Sequence, residues 1–81
     1  MRLQLSSGAR KEFEALPSSM QKVVHKQFSF LINSLRHPSL RTKKYDEATS
    51  LWQARISRDW RFYFFISSDI YVVVKIKKHP K

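Results

Sequence analysis

The sequence contains no cysteine and a single glycine, Gly8, and its longest unbroken apolar runs, Phe62 to Ile66 and Ile70 to Val74, span five residues each. Without cysteine there is no disulfide to staple the fold and no thiolate site for a metal. One glycine excludes a glycine-rich phosphate-binding loop. Five-residue runs are far short of the roughly 20 needed for a helix to cross a bilayer. No apolar segment follows Met1, so no secretory signal is expected. A cytoplasmic location without membrane contact is the resulting expectation. Acidic residues are also scarce: 6 Asp+Glu against 16 Lys+Arg give a formal net charge of +10. Such an excess raises the local concentration of anions and speeds encounter with an anionic partner. The 42% hydrophobic and 14% aromatic content argues against disorder. Eighty-one residues allow one domain, residues 1–81, with a modest core.

Two periodicities divide the chain. Arg2 to Leu5 alternates and reads as a short strand. Ser6 and Ser7 are N-cap candidates, and Ala9, Phe13 and Leu16 then repeat at helical spacing. Pro17 ends that helix and opens another. Met20, Val23, Val24, Gln27, Leu31 and Leu35 form its apolar stripe, Phe28 widens it, and Pro38 closes it. The short link suggests an antiparallel helix pair. Residues 39–50 read as a polar loop with a short edge strand at 41–45. From Trp52 the period becomes two, giving three strands around Trp52–Ile56, Trp60–Ile66 and Ile70–Ile76. The links are Ser57-Arg58-Asp59 and Ser67-Ser68-Asp69. The fold class is α+β: a strand, a helix pair, then an antiparallel β-meander with the helices on one sheet face.

Side-chain parity sets a register. Three-residue links put Ile56 opposite Trp60, Ala54 opposite Phe62, Ile66 opposite Ile70, Phe64 opposite Val72 and Phe62 opposite Val74. The apolar sets then share one face. On the other face Arg55 lies opposite Arg61, and Arg61 opposite Lys75. Like charges in such a row are destabilising unless an anion joins them. Gln53, Tyr63 and Val73 form the next row, and Leu51, Phe65 and Tyr71 the one after. Phosphate suits the cations, and an unstacked base suits Tyr63, Phe65 or Tyr71. Lys43, Lys44, Arg58 and Lys77 are further cations available to RNA. A solvated outer face would also alternate Arg and Lys, and the outer aromatics could form a second small core under a loop. His25 and His37 have no companions at metal-ligand spacing, so neither a metal nor a cofactor is expected.

The ordered set Leu51-Trp52-Gln53-Ala54-Arg55-Ile56, Trp60-Arg61-Phe62-Tyr63, Val72-Val73-Val74 and a late His79 resembles the RelE/ParE toxin superfamily. Its spacing is most similar to the YoeB branch, and His37-Pro38-Ser39-Leu40-Arg41 with Lys43-Lys44 fits the same superfamily. The resemblance implies a toxin that pairs with a cognate antitoxin in a hetero-oligomer and cuts mRNA on the ribosome, using the RNA 2′-hydroxyl as nucleophile. Arg55 and Arg61 would match its phosphate-binding arginines, and His79 its C-terminal histidine near the leaving oxygen. Glu47, or Asp46, is the nearest candidate for its acidic base. The chain departs from the pattern where Pro80 and Lys81 replace a tyrosine after the histidine, and where Gln53 stands for a lysine of RelE. The ParE branch of the same fold inhibits DNA gyrase instead, and an inactive member would bind only RNA or an antitoxin.

Overall fold

The computed structural model describes residues 1–79. Strand β1 (Arg2–Leu5) leads into helix α1 (Ser7–Glu14) and helix α2 (Ser18–Asn33). A 3-10 turn at Pro38–Leu40 follows, then β2 (Lys43–Asp46), β3 (Leu51–Arg55), β4 (Trp60–Ser67) and β5 (Ile70–Lys78). The strands form one sheet in the order β1-β5-β4-β3-β2. β1 runs parallel to β5, and the other neighbours are antiparallel, as a meander requires. Among the described residues no helix is long and apolar enough to cross a membrane.

Local chemistry places the helix ends. Ser6 caps α1, its Oγ accepting from the Ala9 N–H at 3.1 Å. Eight residues are too few for a stable isolated helix. Gln21 of α2 compensates by donating from Nε2 to the Phe13 and Leu16 carbonyls at 3.1 and 3.2 Å, closing the end of α1. Pro17 precedes α2 as its N-cap residue. α2 stops at Asn33 rather than running to Pro38. Asn33 and Ser34 bring polar side chains that compete for backbone partners, and Asn33 Nδ2 donates back to the Ser29 carbonyl. Leu35 therefore lies beyond the helix, although it still packs on the core. The edge strand begins two residues later than the sequence suggests, at Lys43.

The core lies between the helices and one sheet face. Val24, Phe28 and Leu31 of α2 meet Ala54, Phe62, Phe64 and Val73. Phe28 and Phe62 pack edge to face at 5.1 Å. Buried Gln27, within the apolar stripe, donates to the Arg55 carbonyl at 2.8 Å and so pins α2 to the end of β3.

The β3–β4 register is the expected one: Ala54 pairs with Phe62 and Arg55 with Arg61. The β4–β5 register is not. Ser67 pairs with Ile70, so the link is the two-residue Ser68-Asp69, with Ser68 left-handed at φ 55°. Ile66 then faces Tyr71, Phe64 faces Val73, and Phe62 faces Ile76. A β-bulge explains the remaining shift: Phe64 pairs with Val73 but Tyr63 with Lys75, leaving Val74 as the extra residue. Before the bulge, β5 therefore sends Tyr71 and Val73 into the core instead of Ile70, Val72 and Val74. Ile66 is left 40% exposed.

Candidate functional site

The bulge decides which cations gather on the helix-free face. Past it, Arg61 pairs with Lys77, and Tyr63 with Lys75. The charged row is thus Arg55–Arg61–Lys77, with Lys77 in the place expected for Lys75. The adjacent row is Lys43–Gln53–Tyr63–Lys75. Tyr71 is only 5% exposed within the core, which removes it as a stacking surface for RNA.

A bulge leaves a ladder group unpaired, and here α1 supplies the partner. β1 accompanies β5 only as far as Val73. Beyond that point the Ile76 N–H donates to Glu12 Oε1 at 2.9 Å. Glu12 Oε2 also lies 3.8 Å from Lys75 Nζ. Ser6 extends the attachment, its N–H donating to the Val73 carbonyl at 2.8 Å. Nothing in the sequence singles out Glu12, because its partner Ile76 is 64 residues away.

Arg55 and Arg61 stand directly opposite each other, which costs free energy. The Arg61 guanidinium relieves this by turning to the 57–60 turn. Its Nη1 donates to the carbonyls of Ser57, Trp60 and Arg58 at 2.7, 2.9 and 3.3 Å. Among the described residues the other guanidinium nitrogens make no hydrogen bond, so part of the fork remains for an anion. Arg58 is exposed in that turn.

His79 follows β5, and its N–H donates to the Asp59 carbonyl at 2.6 Å. It continues the alternation of Lys75 and Lys77, one step beyond the arginine row. Its Nδ1 is buried with no hydrogen-bond partner among the described residues. A buried polar atom in that state is rare and costly, and invites a ligand. Pro80 and Lys81, which depart from the family pattern, lie outside the described residues.

Beside the cations sits an aromatic slot. Tyr63 is 3% exposed, with Tyr45 edge-on at 4.9 Å and Lys77 Nζ over its ring at 5.4 Å. Tyr63 is thus covered rather than an open platform, as the second-small-core alternative allows. Its phenol pKa is raised, chiefly by burial and then by Tyr45, with Arg61 opposing, so it remains a proton donor at neutral pH. Tyr45 is 54% exposed at an irregularity of β2. It was legible as the one aromatic in the polar 39–50 segment. A cavity of about 150 Å³ opens here between Tyr45, Leu51, Tyr63, Val74, Lys75 and Lys77.

Other expected site residues lie apart. Glu47, in the turn after β2, is exposed and paired with Lys44 at 3.8 Å. That turn is at the opposite end of β3 from Arg55, about 13 Å away at the rise of a strand. Lys44 lies over Trp52, whose ring packs on the core, so it belongs to the helix side. Lys43 pairs with Gln53 and borders the helix-free face. A separate apolar groove of about 350 Å³ opens between α1, α2 and β1, lined by Leu3, Leu5, Phe13, Phe28 and Ile32.

No protein-family model matches the sequence, and no curated protein matches it. Solved structures do. The chain is similar to a YoeB/ParE toxin from Agrobacterium tumefaciens, at 14% identity and a TM-score of 0.82, over 99% of this chain and 100% of that one. It is similar to the archaeal RelE–RelB complex from Pyrococcus horikoshii OT3, at 15% identity and 0.82, over 99% and 96%. It is also similar to the intact E. coli RelBE toxin–antitoxin complex, at 16% identity and 0.74, over 99% and 98%. With near-complete coverage of both partners in each comparison, the chain has the RelE/ParE toxin fold.

Proposed function

We propose that this chain is the toxin of a toxin–antitoxin pair and acts as a metal-independent, ribosome-dependent mRNA endonuclease. The observation that carries the reading is the Arg55–Arg61–Lys77 row beside His79 on the helix-free face. Attack by a 2′-hydroxyl on its own phosphodiester leaves a 2′,3′-cyclic phosphate and needs no metal-bound nucleophile. It does need charge stabilisation on the phosphorane and a proton for the departing 5′-oxygen. Arg55, Arg61 and Lys77 supply the first, with Lys75 and Arg58 at the margins. His79 supplies the second: it follows β5 next to the arginine row, and its buried Nδ1 has no hydrogen-bond partner among the described residues. The 2′-hydroxyl proton must pass to a base; Glu47, as the proposed base, would have to act from the far end of the face, so Glu47→Ala tests that role separately.

A cognate antitoxin fits the same reading. The RelE–RelB and RelBE structures are toxin–antitoxin complexes. This chain offers an outer edge on β1 that is unpaired among the described residues, an apolar groove beside it and a charge of +10. An amphipathic, net acidic segment would complement all three.

The position of Glu47 favours a second reading, a ParE-like toxin that inhibits gyrase without cutting RNA. Induction of wild type, Arg61→Ala and His79→Ala in cells, with mRNA ends mapped, separates the two. The nuclease reading expects growth arrest with new mRNA ends in wild type and their loss in both variants. Arrest with intact mRNA would replace it by the gyrase reading.

A further inference from the structure

We infer that the cavity between Tyr45 and Lys75 is a subsite for a single unstacked nucleobase, with Tyr45 as its movable wall. The inference rests on the RNA reading above and adds where a base sits. The slot is lined by Tyr45, Tyr63, Leu51 and Val74 together with Lys75 and Lys77, whose ammonium lies over the Tyr63 ring. An aromatic and apolar lining with two lysines suits a flat, polar-edged ring attached to phosphate, which describes a nucleotide.

The slot also has the right neighbour. The Tyr63–Lys75 row and the Arg55–Arg61–Lys77 row lie two residues apart along the strands, about 7 Å. One nucleotide spans that distance, so a base in the slot places an adjoining phosphate at the arginines. Lys77 belongs to both, pairing with Arg61 along the ladder while its ammonium lies over Tyr63.

Tyr45 is the part able to move. Tyr63 is sealed, whereas Tyr45 is 54% exposed and sits where the β2–β3 pairing shifts between Lys44 and Asp46. Its edge-on contact with Tyr63 can open to admit a base with little disturbance of the sheet. Lys75 is held at the opposite rim by Glu12.

The test compares a short single-stranded RNA with the same RNA carrying one abasic site at each position in turn, using the full chain and Tyr45→Ala. For wild type, one abasic position should weaken binding about 5- to 150-fold, the range for one base stacked on an aromatic ring. In Tyr45→Ala that penalty should fall to near unity, while the salt dependence of binding stays unchanged. Tyr45→Phe should retain the penalty, since the ring face and not the hydroxyl makes the contact. Tyr45 ring resonances should move on adding intact RNA and not on adding the RNA abasic at that position. RNA binding with strong salt dependence but an abasic penalty equal in wild type and Tyr45→Ala would overturn the subsite and leave the RNA reading standing. Absence of salt-dependent RNA binding in wild type would overturn both.

Discussion

On the helix side of the sheet Phe62, Phe64 and Val73 are sealed from water beneath α2, while on the other side Tyr63, Lys75 and Lys77 line a cavity, and Arg61 pairs with Lys77 beside it. Both sets come from the same two strands. The apolar face supplies burial, and the opposite face uses the rigidity so gained to hold like charges side by side. A small domain can keep such a row because each unfavourable pair costs a fraction of a kcal/mol to about 1 kcal/mol, whereas one buried aromatic contributes several. The two faces should therefore respond in opposite ways to substitution, one in stability and the other in activity.

Phe62→Ala tests the first half most severely. It should lower the unfolding free energy by about 3–5 kcal/mol, a large share of a small domain's total. Urea denaturation checks this, and a loss below about 1 kcal/mol would break the contrast between the faces. Arg61→Ala should show the reverse pattern. Cleavage of ribosome-bound mRNA should fall about 100- to 1000-fold, as when a charge-stabilising donor is removed, with a stability loss of only about 1 kcal/mol from its turn contacts. Arg61→Lys should also lose most of the activity, since lysine keeps the charge and not the fork. Full activity in Arg61→Lys would reduce the arginine to a point charge.

Glu12 joins the two faces. Glu12→Ala leaves the Ile76 N–H unpaired and should cost about 1–3 kcal/mol, whereas Glu12→Gln retains an acceptor and most of the stability. Amide exchange at Ile76 should quicken in the alanine variant alone. Ser68→Gly should stabilise by up to about 1 kcal/mol, because Ser68 occupies a left-handed conformation that glycine adopts freely. A destabilising Ser68→Gly would mean that the serine side chain supports the turn. The smallest effect concerns pH. The folded-state pKa of Tyr63 lies above its unfolded value of 10.0, so the phenol binds its proton more tightly when folded. Its contribution is fully present below pH 10 and is lost as pH rises through the folded value. Tyr63→Phe should flatten stability against pH in that alkaline range and leave it unchanged near neutrality.

What could be read from the sequence follows the same division. Alternation gave the strands, and proline and serine gave the helix starts, because these signals act over a few residues. The β3–β4 register was readable too, since Arg55 and Arg61 flank a regular turn and both strands keep strict parity. The β4–β5 register was not. Ile70 to Val74 is apolar at every position, so parity cannot tell its two faces apart, and the bulge at Val74 changes face partway along. Parity alone therefore puts Tyr71 outside and Lys75 in the position that Lys77 holds. Glu12 and Ser6 hold β5 on either side of the bulge, but they are distant in sequence and carry no local sign of the contact. The placement of the arginine pair and Tyr63 is unaffected, because the β3–β4 ladder that sets it is regular throughout.

The claim that phosphate occupies the arginine row is tested most directly by the salt dependence of RNA binding. In wild type, log Kd should rise steeply and linearly with log salt as counterions are displaced by the cations. Arg55→Ala and Arg61→Ala should each reduce the magnitude of that slope by about one. Slopes identical to wild type in both variants would place the phosphate elsewhere and contradict the site described above.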